Sequence, residues 1–297
     1  MSGAPAIAAT LTAALSVGAG ASATATQRPP AARASALAIE CRSAFTARLH
    51  RRPRCLPAER MSLLADGLVH LPSWTGRMAS SRLAGWTQRQ ALGGGIRVVR
   101  GPRTGRRHVT LFTVRPGDVP VGAGGERAEV AASAQATAGV DGGESWYVWS
   151  TYFPSDLNPA PATTFNVFTQ FHQLHATKDS CPPNVAFQVN TKTAPALIRL
   201  AVRGGSLNRT ACVSQTIWSK DTVALALGRW YDFAFHVRWS PDASVGFVEL
   251  AIDGTVVVPR TAMATLYRGQ TVYAKQGFYR APSSLTSRIY QAGMTRF

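Results

Sequence analysis

The chain has 297 residues, 45% of them hydrophobic, so it can bury a sizeable core and is not a disordered tail. Its 32 basic against 15 acidic residues give a formal net charge of +17, which favours polyanionic partners: nucleic acid, an anionic polysaccharide or a membrane surface. Only Lys178, Lys192, Lys220 and Lys275 are lysines; the other basic residues are arginine, a bias to which genome composition also contributes.

The N-terminal "MSGAPAIAATLTAALSVGAGASATA" is small and apolar, carries no charged side chain before Arg28, and contains A-S-A and A-T-A sequences suited to cleavage near Ala23 or Ala25. Residues 1–25 therefore read as a signal peptide and the protein as secreted, with an Ala-rich extension or a misplaced start codon as the alternative. No later stretch reaches the roughly 18 consecutive apolar residues of a membrane helix, so no membrane association is expected.

Residues 26–90 hold Pro29, Pro30, Pro53 and Pro57 and the arginine cluster "ARLHRRPRCLPAER", and read as a partly ordered Arg/Pro-rich extension. Four cysteines in an exported chain point to disulfides, with sequence proximity favouring Cys41–Cys55 and Cys181–Cys212. Without a C-x-x-C pair or a histidine at ligand spacing beside one, a zinc site is not expected.

From about residue 91 the texture changes. "GIRVVRGPRTGRRHVTLFTVRPGD" alternates β-formers with polar residues and is broken by Gly-Pro and Pro-Gly. Further strand candidates follow to the C-terminus: "GGERAEVAA", "ESWYVWSTYFP", "FNVFTQFHQLH", "NVAFQVNT", "ALIRLAVRGG", "WYDFAFHVRWS", "GFVELAIDGTVVV", "TVYAKQGFYR" and "SRIYQAGMTRF". No sustained helical period interrupts them, and no internal repeat is visible. Residues 91–297 thus form an all-β domain, a two-sheet antiparallel sandwich or jelly roll that hides strand edges and apolar faces.

Period-two alternation sorts the candidate functional residues by face. Glu249 and Asp253 share one face of a strand, but Asp253-Gly254 reads as a hairpin turn, which leaves Glu249 a solvent-facing residue rather than half of a hydrolytic pair. His236 reads as structural or groove-edge. His175 is out of phase with His172 and reads as a loop or rim residue. Three other rows differ in kind: Arg127 with Glu129, Gln170 with His172, and Tyr273 with Lys275 and Tyr279. Lining one cleft, they would supply a guanidinium, a carboxamide, an imidazole, an ammonium and two phenols, with one carboxylate paired to Arg127.

That set suits an anionic substrate and β-elimination from a uronic acid. The C5 proton becomes removable once the neighbouring carboxylate is neutralised, and His and Tyr can serve as base and acid.

"ERAEV", "QFHQ" and "YAKQGFYR" resemble the three motifs of alginate-lyase-type β-jelly-roll polysaccharide lyases, R-[ST]-E-L, Q-[IV]-H and Y-x-K-x-G-x-Y. The wider pattern, "RPGD", "GRWYDFAFHVRWSPD" and "LYRGQTVYAKQGFYR" included, is still more similar to the heparin lyase I and glucuronan lyase group. The resemblance spans roughly Gly94 to Phe297 and implies a concanavalin A-like β-jelly roll that cleaves an acidic polysaccharide. It implies Arg127 and Gln170 as carboxylate neutralisers, His172 as base or second neutraliser, and Tyr279 as acid, or as both base and acid. Lys275 and Tyr273 would bind the polyanion, with Gln173 and Arg280 beside them. Ala128 and Val130 in "ERAEV" and Phe171 in "QFHQ" depart from the alginate-lyase pattern and argue against alginate specifically. No cofactor is required by this chemistry, calcium would be structural only, and a monomer is expected. The rivals are a non-catalytic lectin-like sandwich that binds acidic glycans and a nucleic-acid binder acting through the N-terminal arginines.

Overall fold

The computed structural model describes residues 73–78, 83–102, 108–121, 124–160, 165–174, 181–208 and 212–297. The signal-peptide reading of residues 1–25, Cys41 and Cys55, the extension up to residue 72, and His175 lie outside the described residues.

Within them run fifteen strands, numbered in chain order, and one short helix. The first sheet is ordered β13 (Thr255–Ala262), β12 (Phe247–Ile252), β11 (Arg229–Arg238), β6 (Glu144–Phe153), β15 (Ser287–Arg296), β4 (Val109–Val114) and β3 (Ile96–Val99), with β1 (Trp74–Arg77) also on β15. The second is ordered β10 (Val213–Ala224), β9 (Leu197–Asn208), β8 (Val185–Asn190), β7 (Asn166–Gln173), β14 (Val272–Arg280), β5 (Glu126–Ala132) and β2 (Trp86–Gln90). All neighbouring strands in both sheets are antiparallel. The helix α1 (Ala134–Thr137) is one turn, capped by the Ser133 hydroxyl accepting from the Ala136 amide.

The sheets pack through aromatic side chains supplied by alternate positions. Trp149 of the first sheet stacks on Phe233 at 5.0 Å and meets Phe187 of the second edge-on at 4.8 Å, and Tyr147 meets Phe171 at 4.6 Å. Each such pair adds about 0.5–1.5 kcal/mol beyond its area burial. The same alternation on β5, β7 and β14 sends Ala128, Val130, Phe171, Ala274 and Phe278 into the core. It therefore turns Arg127, Glu129, Gln170, His172, Tyr273, Lys275 and Tyr279 to the opposite face of the second sheet.

Gly277 explains a motif position. Its φ is +135°, and a Cβ there would lie 2.2 Å from the Ala128 carbonyl oxygen. Only glycine lets β14 pass β5 so closely, and the register of β14 against β7 shifts between Gln276 and Tyr279 at this point. Asp253 and Gly254 both have positive φ, +52° and +74°, the signature of the expected type I′ hairpin between β12 and β13.

Four strands escape a reading by texture. β1 and β2 begin at Trp74, ahead of the change at residue 91, and are only four and five residues long. β10 carries Lys220 and Asp221 and sits at a sheet edge, where charge protects against pairing with other chains. β13 was merged with β12 in one candidate stretch. The Cys181–Cys212 disulfide forms as expected and joins the segment before β8 to the β9–β10 connection.

Candidate active site

The face built from β5, β14 and β7 has Glu129 at its centre. One carboxylate oxygen lies 2.8 Å from Lys275 Nζ and 3.3 Å from Arg127 Nη1; the other accepts from Gln170 Nε2 at 2.6 Å. Strand pairing dictates this convergence, because Gln170 lies directly opposite Lys275 across the β7–β14 ladder, while Glu129 is opposite Gly277, whose missing side chain leaves room. Glu129, Gln170 and Lys275 are each at most 2% exposed, so they form a floor beneath the partly exposed Arg127, His172, Tyr273 and Tyr279.

Burial pushes the Glu129 carboxyl up, but Lys275 and then Arg127 outweigh it and hold the group below the usual carboxylate range. It stays ionised. Burial pulls the Lys275 ammonium down, and Glu129 opposes that shift.

His172 is driven down to about 4, chiefly by burial, with Lys275 adding to the shift. It is therefore neutral near pH 7. Its Nδ1 lies 3.2 Å from the Gln173 carbonyl oxygen, which can only accept, so Nδ1 carries the hydrogen and Nε2 the lone pair. Burial raises the Tyr279 phenol, and Arg127 partly offsets this with its guanidinium 3.8 Å from the ring centroid. Burial likewise raises Tyr273, whose ring lies 6.2 Å from His172.

Six of the residues singled out in the sequence come together here: Arg127, Gln170, His172, Tyr273, Lys275 and Tyr279. The structure does not bring Gln173 and Arg280 with them, and their reading as substrate contacts is corrected. Both occupy the opposite phase of their strands. Gln173 donates to the carbonyls of Cys181 and Pro182 at 3.1 Å each and anchors the segment before β8. Arg280 is fully buried, 2.8 Å from Glu126, and donates to Ser287. Lys275 keeps its place on the face, but its ammonium is held by Glu129 rather than presented to solvent.

Two neighbours were missed. Phe165 lies 4.7 Å from the Tyr279 ring, and a Cβ on Gly125 would meet that ring at 2.9 Å. Both belong to connections between strands, where alternation gives no signal. Glu129 was anticipated only as a partner of Arg127; its bonds to Lys275 and Gln170 depend on strand order.

Glu249 and Asp253 take no part in the site. Glu249 lies 3.2 Å from His236 Nδ1, Glu144 lies 2.7 Å from Nε2, and Trp146 stacks on the imidazole at 3.9 Å, all on the first sheet. His236, which the sequence reads as structural or groove-edge, is held in this first-sheet cluster, away from the Glu129 face. Among the described residues no group of three or more His, Cys, Asp or Glu is placed to hold a metal ion, and no helix is long and apolar enough to cross a membrane.

Among solved structures, an endo-β-1,4-glucuronan lyase from the fungus Trichoderma reesei is similar at a TM-score of 0.60 and 15% identity, covering 76% of this chain and 95% of that one. The catalytic domain of a glycoside hydrolase family 131 protein from Coprinopsis cinerea matches at 0.51 and 13%, covering 77% and 94%. An alginate lyase from Pseudomonas aeruginosa matches at 0.45 and 14%, covering 64% and 82%. At these identities the first two likenesses speak to the fold alone, which two kinds of carbohydrate chemistry share. No curated protein matches the chain in sequence. The family model described as polysaccharide lyase matches residues 78–294, a span that holds every member of the Glu129 cluster. With that match over well more than half its length, the chain belongs to the polysaccharide lyase family and is a polysaccharide lyase.

Proposed function

We propose that this lyase is secreted and cleaves a uronic-acid-containing acidic polysaccharide by β-elimination. The observation that carries the reading is the single carboxylate of the site. Glu129 is neutralised by Lys275 and Arg127 and held ionised, so it cannot act as a general acid, and no second carboxylate of the cluster is available for paired-acid hydrolysis. What remains is a face rich in donors, a neutral imidazole and two protonated phenols.

The substrate carboxylate is received by Arg127 and the Gln170 amide, which disperse the charge that develops on it. The Arg127 side chain keeps about a tenth of its surface exposed above the buried Glu129, so part of the guanidinium faces the cleft for this task. His172 Nε2 removes the C5 proton. The electron pair of the C5–H bond passes first into the carboxylate-stabilised enolate and then forms the C4–C5 double bond as the C4–O bond breaks. Tyr279 donates its proton to the leaving oxygen, and the nearby Arg127 charge favours the phenolate that results. The products are a chain with a new reducing end and a chain ending in an unsaturated uronate. Cation and amide side chains do the neutralising, so the proposed steps use no metal, and calcium would serve the fold only.

The test is absorbance near about 235 nm, where the conjugated uronate absorbs, with glucuronan, alginate and heparin as substrates and Tyr279→Phe and His172→Ala as variants. A rise with one polymer that both variants abolish supports the reading. Binding to these polymers without any rise would replace it with the lectin-like alternative.

A further inference from the structure

The cations on the site face sort by whether a carboxylate compensates them. Lys275 and Arg127 share Glu129, and Arg199 forms a two-point ion pair with Asp221 at 2.8 and 2.9 Å. Arg203 is different. It is half-buried on β9, and among the described residues no carboxylate lies within ion-pair distance of it.

The ladders fix where Arg203 sits. Tyr273 is opposite His172, and the next pair along β7, Phe171 with Val185, puts Asn184 beside His172. Arg203 donates its amide to the Asn184 carbonyl, and Ile217 is its partner on β10. Tyr273, His172, Asn184, Arg203 and Ile217 thus form one line across the sheet. Arg203 lies two strand spacings from His172, roughly 10 Å.

Two residues further along each strand, on the same face, the parallel line from Lys275 through Gln170 reaches Ala186, Ala201 and Ser219, whose short side chains keep this part of the face low. Beyond Arg203 a surface cavity of about 240 Å³ opens, lined by Ser206, Leu207, Tyr267, Arg268 and Gln270. The cavity wall is tied to the same strand two residues beyond Arg203, where Gly205 bridges Tyr267 and donates its amide to the Leu266 carbonyl at 2.7 Å. Ile217, 64% exposed, adds an apolar surface suited to the C–H face of a sugar.

We propose that Arg203 is a second carboxylate-binding residue, which holds a uronate neighbouring the one being cleaved, with the Arg268 cavity continuing the path. The inference rests on the uronan-lyase reading above and deepens it: the enzyme selects polymers in which uronates are contiguous over those in which a neutral sugar intervenes. A half-buried guanidinium with no counter-ion among the described residues is satisfied by an anionic ligand, and each carboxylate it neutralises lowers KM without entering the chemical step.

The test compares wild type, Arg203→Ala and Arg203→Lys at about 235 nm on glucuronan and alginate, whose uronates are contiguous, and on hyaluronan, in which uronate alternates with a neutral amino sugar. On the contiguous polymers Arg203→Ala is expected to raise KM by about tenfold, with kcat little changed and a shallower dependence on salt. Arg203→Lys should recover most of the KM. Thermal melting of both variants should match wild type, because no ion pair is lost. An unchanged KM, or a fall in kcat alone, overturns the proposal. If wild type turns over none of these polymers, the elimination reading fails separately, and retardation in glucuronan-loaded gels becomes the measure. There, weaker retardation of Arg203→Ala supports a carboxylate site and equal retardation overturns it.

Discussion

Glu129→Gln is the most informative single substitution. It leaves the shape of the floor intact but removes the charge that Lys275 and Arg127 share, with Lys275 only 2% exposed. Removing one partner of a buried pair strands the other charge in a low-dielectric site and costs about 3–5 kcal/mol. For a domain of this size, each kcal/mol corresponds to roughly 2–4 °C, so a fall in Tm of about 6–20 °C is expected. Lys275→Met in the same background removes the stranded ammonium and should recover most of that loss, giving a coupling above about 1.5 kcal/mol in a double-mutant cycle. The recovered double variant should still be inactive, because glutamine offers one acceptor oxygen where Glu129 offers two, and Arg127 and Gln170, which use different oxygens, are no longer both oriented. Urea denaturation of wild type, both single variants and the double variant measures all four corners. A cost below about 1 kcal/mol for Glu129→Gln, or additivity in the cycle, would refute the hub argument.

The pH dependence should follow His172, held down to about 4. In kcat/KM the acid limb should fall near pH 4, with activity flat above about 5.5 until the tyrosines ionise; an acid limb at or above the ordinary histidine value near 6.5 would contradict the burial of this imidazole. The same shift bears on stability. A group whose pKa is depressed on folding contributes stability fully above its unfolded value near 6.5, and the contribution is lost as pH falls through about 4. His172→Phe should flatten the dependence of Tm on pH in that window. Gly277→Ala should destabilise by more than about 1 kcal/mol, from the close approach to Ala128 and the positive φ, and should abolish activity by shifting Tyr279; retained activity would show that the β14 bulge does not aim that side chain. Removing the Cys181–Cys212 bridge by a double serine substitution opens a loop of 31 residues and should cost roughly 3.5 kcal/mol in urea unfolding, with little change in kcat.

The period-two pattern settled much in advance, because one side of each strand had to face a core. From "YAKQGFYR" alone, Tyr273, Lys275 and Tyr279 had to share a face, and Phe278 had to turn away from it. The Asp253-Gly254 hairpin was equally legible, since local backbone conformation determines a two-residue turn. Signals that depend on neighbours in space were not legible. Adjacency to a motif suggested that Gln173 and Arg280 contact substrate, yet their opposite phase places Gln173 against the segment before β8 and Arg280 against buried Glu126. Strand order decided that β5, β14 and β7 lie side by side and that their three motifs meet on one carboxylate. It also decided that Arg203, unmarked in its own stretch, falls in line with His172. Alternation along one strand fixes which face a side chain takes; only the ladders between strands far apart in sequence fix which side chains meet there. For this protein the sequence determined the kinds of groups in the site, and the tertiary structure decided which of them are spent on each other and which are left for a substrate.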